Sequence, residues 1–117
     1  MTESVYEVLH PGSEDPEFPH APTAWDRGSA AETAREEGLS LTGDHWEVVR
    51  ALQEYFDRTD KPNVRELHDA LDEHFHAKGG IRFLYEIFPG GPVPQGCRIA
   101  GLEPPPSSTD HSFGSVQ

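Results

Sequence analysis

The sequence is poor in cysteine, with one such residue, Cys97, in a chain of 117 residues. A single thiol excludes an intramolecular disulfide and a structural zinc site built from cysteines, because both need more than one. A free cysteine is either packed in a core or used in a reaction. Because Cys97 lies in the glycine- and proline-rich run FPGGPVPQGCRIAGLEPPP, we expect an irregular, accessible segment and a reactive thiol. A buried, inert thiol stays open as the alternative.

Positive charge and long apolar runs are also scarce. Nine Lys and Arg residues stand against 21 Asp and Glu residues, and the formal charge is −12. Nucleic acids and anionic membranes attract clustered basic side chains, so neither is an expected partner. No segment approaches the roughly 20 apolar residues of a membrane span, and the start of the chain lacks the basic and apolar regions of a signal peptide. We therefore expect a cytoplasmic protein, in a compartment that keeps its thiol reduced.

The composition predicts one domain with a compact centre and loose ends. Hydrophobic residues make up 34% of the chain, and glycine and proline contribute 11 residues each. Residues 1–28 are predicted to form an N-terminal segment that could hold a short β-hairpin at Val5–Leu9, followed by a mobile loop at Ser13–Pro22. Residues 103–117 are predicted to be a flexible, disordered tail that forms the end of a carboxy-terminal arm.

Residues 29–102 carry the helical patterns. Ser29 is predicted to cap a short helix through Glu37, with Glu32 completing a capping box and Gly38 ending the helix.

Four more helices follow in this prediction, over about residues 42–58, 63–79, 81–88 and 92–100. Thr42 or Asp44 would cap the first of them, and Asn63 the second. Apolar residues recur three and four positions apart, as a buried helix face requires. The sequence therefore predicts a mainly α fold, a small orthogonal helical bundle with a helix-turn-helix-like pair.

Two further interpretations are considered and disfavoured. His68, His74 and His76 are close in sequence, but a helix directs them to different faces, so no metal site is expected. The helix-turn-helix-like pair suggests DNA binding, yet its second helix carries more acidic than basic residues and would repel phosphate. No glycine-rich phosphate loop is present, so no organic cofactor is expected.

Three runs of sequence resemble the DsrC/TusE/DsvC family of sulfur-relay proteins. They are LSLTGDHWEVV at 39–49, RFLY at 82–85 and FPGGPVPQGCRIAGL at 88–102. The resemblance implies a small helical domain whose carboxy-terminal arm carries sulfur as a cysteine persulfide. It also implies a DsrEFH- or TusBCD-like sulfurtransferase complex as donor, and dissimilatory sulfite reductase or a tRNA 2-thiouridylase as acceptor. Such a chain is a protein co-substrate of a sulfurtransferase rather than a turnover enzyme.

The chain departs from this family at the position of the principal carrier cysteine. That cysteine stands eleven residues beyond the position of Cys97, where this chain has Ser108. Cys97 matches the second cysteine of the DsrC-type members. One hypothesis is that Cys97 accepts the persulfide sulfur, with the positive charge of Arg98 favouring the thiolate. The other is a non-catalytic regulator or adaptor. An exposed Cys97 would also allow a disulfide-linked homodimer under oxidation.

Overall fold

The computed structural model describes residues 15–105. They form five α-helices and one short 3-10 helix: α1 (Arg27–Glu36), α2 (Gly43–Arg58), α3 (Val64–His74), the 3-10 helix (His76–Lys78), α4 (Gly80–Ile87) and α5 (Pro94–Ala100). The prediction of a mainly α domain is confirmed. The predicted β-hairpin at Val5–Leu9 and residues 106–117 of the predicted tail lie outside the described residues. Within residues 15–105 no helix is long and apolar enough to cross a membrane.

Helix α1 begins earlier than predicted. The Asp26 carboxylate accepts a hydrogen bond from the Ser29 backbone N–H at 2.7 Å, and the Ser29 hydroxyl accepts one from the Asp26 N–H at 3.3 Å. The prediction that Ser29 is the cap was wrong, because these two residues form the capping box together and Ser29 is its third helical residue. The C-cap of the helix is Glu37.

The predicted caps of α2 and α3 are confirmed. Thr42 is the N-cap of α2, and the Asn63 side chain accepts from the Glu66 N–H at the start of α3. Helix α3 ends at His74, earlier than predicted, and the chain tightens there into the 3-10 helix. Gly79 then takes a φ of 121°, a backbone conformation that glycine adopts without steric cost and that turns the chain into α4.

Helix α5 lies at the centre of the core. It packs most extensively on α2 and next on α1, whereas α4 packs mainly on α3. A Cβ atom on Gly96 would lie 2.9 Å from the Leu52 side chain, so glycine allows α5 to approach α2 closely. Most apolar residues at helical spacing are buried, with Val48, Val49, Leu52, Leu67, Leu71, Phe75, Leu84 and Phe88 each at most 3% exposed. Tyr85 on α4, which shares the spacing of Leu84 and Phe88, is instead 46% exposed.

The described part of the predicted mobile loop, residues 15–22, packs against the bundle. Phe18 is 1% exposed, and its ring centroid lies 5.1 Å from that of Trp25. The guanidinium groups of Arg27 and Arg50 lie 4.9 and 5.1 Å from the Phe18 centroid, within cation–π distance. This segment is irregular, as predicted, but the burial of Phe18 against Trp25 was not predicted.

Candidate functional site

Cys97 lies in the middle of α5, within the helix predicted over about residues 92–100, and the expectation of an irregular segment around it was wrong. Gly91, with a φ of 101°, makes the turn before the helix, and its N–H donates to the Phe88 carbonyl. Pro94 stands at the first turn of α5, where it displaces no helical hydrogen bond. Gly101, in the left-handed conformation, ends the helix. The glycines and prolines of this run therefore delimit a helix.

The Cys97 side chain is sealed in the core. Its exposed fraction is 0%, so the expectation of an accessible thiol was wrong. Burial raises the pKa of the thiol from 9.0 to about 12, and the nearby charge of Arg98 lowers it only in part. Because the thiolate is the nucleophile in sulfur exchange, the thiol in this conformation is held in its unreactive form.

The Arg98 guanidinium pairs with Glu37, and its charge offsets only part of the rise in the pKa of the Cys97 thiol. The Arg98 guanidinium donates to both carboxylate oxygens of Glu37, at 2.7 and 2.8 Å. Gln95 donates to the same carboxylate at 2.9 Å, and its amide oxygen accepts from the Gly90 N–H at 3.0 Å. The hydrogen bonds from Arg98 and then Gln95 lower the pKa of Glu37 against the effect of its burial. One carboxylate at the end of α1 thus fixes two side chains of α5.

Two more side chains fix the other end of α5. The Trp25 indole N–H donates to the Ile99 carbonyl at 2.9 Å, and the Gln53 amide donates to the Ala100 carbonyl at 3.0 Å. Both donors are buried. They satisfy carbonyl groups that the last turn of a helix leaves without helical partners. The helix that carries Cys97 is therefore held at both ends by hydrogen bonds to other parts of the chain.

A buried histidine positions the turn that leads into α5. His45 Nδ1 accepts from the Thr42 backbone N–H at 3.0 Å, so Nε2 carries the proton and donates to the Ile87 carbonyl at 2.8 Å. Its ring also packs edge-on against Phe88 at a centroid distance of 4.9 Å. The contact links the start of α2 to the end of α4, just before the turn at Gly91.

The three histidines that are close in sequence, His68, His74 and His76, do not form a cluster in the structure. His74 and His76 are exposed, and the His68 ring lies 6.1 Å from that of Tyr85. Among residues 15–105, no group of three His, Cys, Asp or Glu side chains is placed to hold a metal ion.

Sequence reasoning missed Trp25, Glu37, Gln53 and His45 as the residues that hold α5 and its turn. Gln53 gave a local signal, because this polar residue lies four positions after Val49 and therefore on the apolar face of α2. Glu37 gave no such signal, since its partner Arg98 is 61 residues away in the chain.

Comparison with known proteins identifies the family. The family model described as DsrC like protein matches residues 13–108. Sulfurtransferase TusE of Pectobacterium atrosepticum is 40% identical over 85 residues, which cover 71% of this chain and 78% of that protein. Sulfurtransferase TusE of Escherichia coli K12 is 41% identical over 83 residues, covering 69% and 76%. No solved structure matches significantly. Because the family model spans most of the sequence, this chain belongs to the DsrC-like family.

Proposed function

We propose that this chain serves a sulfur-relay system of the DsrC/TusE type as a docking protein, an adaptor or regulator that binds relay partners without carrying sulfur on Cys97. The observation that carries the proposal is the position of Cys97, with a side chain 0% exposed and a thiol pKa of about 12. A sulfur carrier needs a thiolate that a partner can reach, and the folded α5 offers neither.

The relatives support the relay system as the setting. The curated relatives are named as sulfurtransferases and align over about 70% of this chain. The family resemblance gives a DsrEFH- or TusBCD-like complex as the donor-side partner, and dissimilatory sulfite reductase or a tRNA 2-thiouridylase on the acceptor side. The same resemblance assigns the carrier cysteine to the position of Ser108, whose hydroxyl cannot form a persulfide. The chain therefore retains the family's domain but has lost its principal sulfur-bearing group. A cytoplasmic location, where partners and thiol would be kept reduced, belongs to this proposal.

Sulfur carriage on Cys97 is the second candidate function, because Cys97 is the single thiol of the chain. In that reaction the Cys97 thiolate attacks the outer sulfur of a donor persulfide. A new S–S bond forms on Cys97, the S–S bond of the donor breaks, and the donor leaves as a thiolate that takes up the proton. This function requires α5 to leave its place first, which would break its hydrogen bonds to Trp25, Gln53 and Glu37. A disulfide-linked homodimer through Cys97 has the same requirement.

Intact-protein mass spectrometry after incubation with a persulfidated TusBCD-type donor distinguishes the two functions. The docking proposal expects no sulfur on this chain, while a TusE relative treated in parallel gains sulfur as the positive control. Added sulfur on the wild-type chain that is absent from Cys97→Ala would overturn the docking proposal in favour of carriage.

Direct binding tests the docking role itself. We expect the wild type and Cys97→Ala to bind a relay sulfurtransferase with affinities within about twofold of each other, because the thiol is not at the surface. Isothermal titration calorimetry measures this. Failure of the wild type to bind any of the donor or acceptor proteins named above would contradict the proposal.

A further inference from the structure

A cavity of about 270 Å³ lies between α2 and α3. We call it the α2–α3 groove and define it by Ala51, Glu54 and Tyr55 on α2 and by Leu67, Ala70 and Glu73 on α3. The two alanines are half-buried, and their short side chains leave space that larger residues would fill. The groove thus presents an apolar floor at a place where the two helices do not close on each other.

Polar contacts hold the groove at both ends. At one end the Tyr55 hydroxyl donates to Glu66 at 3.2 Å. At the other end Lys78 lies 2.6 Å from Asp44 and 3.4 Å from Glu47. These contacts join α2 to α3 at one end and to the 3-10 helix at the other, without filling the middle. Since the groove is formed in the chain alone, a ligand would not need to pay for opening it.

Its rim carries an acidic surplus. Glu54 and Glu73 are exposed and line the groove, and neither has an ion-pair partner among residues 15–105. Arg58 and His74 also line the groove, so its two carboxylates face one guanidinium group. The Glu37 carboxylate, by contrast, is bound by Arg98. The two free carboxylates therefore remain available to positive charge from outside.

We infer that the α2–α3 groove binds a segment of a partner protein that places an aliphatic side chain between Ala51 and Ala70 and lysine or arginine beside Glu54 and Glu73. This inference names a surface for the docking role and rests on that proposed function. An aliphatic side chain fits the apolar floor, and basic flanks complement the rim. A second copy of this chain is the poorer occupant, because two chains of formal charge −12 repel each other.

Two matched peptides test the inference on the full chain. Both are short, helix-forming peptides with leucines on one face, and the other face carries lysines in one peptide and glutamates in the other. We expect the lysine peptide to bind at least about tenfold more tightly, with a marked loss of affinity at high salt. Amide NMR shifts on binding should cluster around Ala51 and Ala70. Equal affinity of the two peptides, no binding, or shifts elsewhere would overturn the inference.

Substitutions sharpen the test. Ala70→Leu fills the groove and should weaken binding of the lysine peptide by at least about tenfold, whereas Ala31→Leu, at an exposed position of α1, should leave it unchanged. The double substitution Glu54→Lys and Glu73→Lys should shift the preference to the glutamate peptide. Amide spectra confirm that each variant is folded. Sedimentation that shows self-association blocked by Ala70→Leu would overturn the inference in favour of a second copy.

Binding of the wild type and the variants to a relay sulfurtransferase distinguishes failure of this inference from failure of the proposed function. If Ala70→Leu and the wild type bind that protein equally, the groove is not its docking site, and the inference fails while the docking function stands. If the wild type binds none of the relay proteins, the proposed function itself fails. Loss of binding in Ala70→Leu, but not in Ala31→Leu, supports both.

Discussion

The two sides of α2 differ in how they are packed. One side meets α5, where Gly96 brings the helices into close contact and Cys97 is fully buried. The other side faces α3 across the groove, where Ala51 and Ala70 leave a cavity of about 270 Å³. The carboxylates differ in the same way, since Glu37 beside α5 binds Arg98 and Gln95, while Glu54 at the groove has no ion-pair partner within residues 15–105.

This difference in packing bears on thiol reactivity and on partner binding. The thiol lies on the filled side, where burial suppresses its ionisation and excludes a partner. Space and unpaired charge lie on the open side, where a partner can bind. In the folded chain Cys97 therefore packs as a small core residue.

The largest expected effect is on the reactivity of Cys97. At pH 8 the thiolate fraction of the folded chain should be about 1000-fold below that of the unfolded chain, because the pKa is about 12 instead of 9.0. Alkylation by iodoacetamide, with and without urea, measures the ratio. An alkylation rate of the folded chain within about tenfold of that of the unfolded chain would contradict the close packing of α5 against α2.

The same pKa predicts a pH dependence of stability. The folded chain holds the thiol proton more tightly than the unfolded chain. The resulting contribution to the free energy of unfolding is therefore complete below pH 9 and is lost as the pH rises from 9 toward 12. Urea unfolding of the wild type and of Cys97→Ala across this pH range separates the effect of the thiol from the effects of other titrating groups. Parallel curves for the two proteins would contradict the burial of the thiol.

Trp25→Ala should cost about 3–5 kcal/mol in the free energy of unfolding, because it removes a buried aromatic ring and the hydrogen bond to the Ile99 carbonyl. Tyr85→Ala is the matched control, since Tyr85 is 46% exposed and should cost far less. Urea denaturation measures both. Similar losses in the two variants would mean that Trp25 does not fix α5 as described.

The same substitution on both sides tests the difference in packing directly. Ala34→Leu, at a residue 1% exposed on α1, should cost about 1–3 kcal/mol through overpacking. Ala70→Leu, in the groove, should change the free energy of unfolding by no more than about 0.5 kcal/mol, because the new side chain enters existing space. Equal costs for the two substitutions would show that the groove is not open.

Glu37→Gln should lower the free energy of unfolding by only about 1 kcal/mol near pH 7, because the pair with Arg98 is partly exposed. Arg98 lowers the pKa of Glu37, so the stabilisation is present above pH 4.5 and is lost as the pH falls through the lowered pKa. The wild type and the variant should therefore converge in acid. Glu36→Gln, at an exposed neighbour, serves as the control in thermal unfolding experiments. A difference that persists in acid would exclude the ion pair as its cause.

Helices α2 and α3 were predictable from the sequence because their signals are local. A cap at Thr42 or Asn63 and apolar residues at helical spacing act within a few positions of one another. The cap of α1 was misplaced, because Ser29 was predicted to cap the helix and Asp26 does so; both residue types are favoured at this position. Such errors shift a boundary by a few residues and leave the element intact.

The helical class, the single thiol, the acidic charge and the kinship to the DsrC-like family follow from composition, periodicity and motifs, which are properties of the chain read in order. The burial of Cys97 and the pairing of Arg98 with Glu37 follow only from the fold. The residues involved are far apart along the chain. Burial and ion pairing depend on which residues meet in space, and Glu37, Gln53 and Trp25 reach α5 from 47 to 74 positions away.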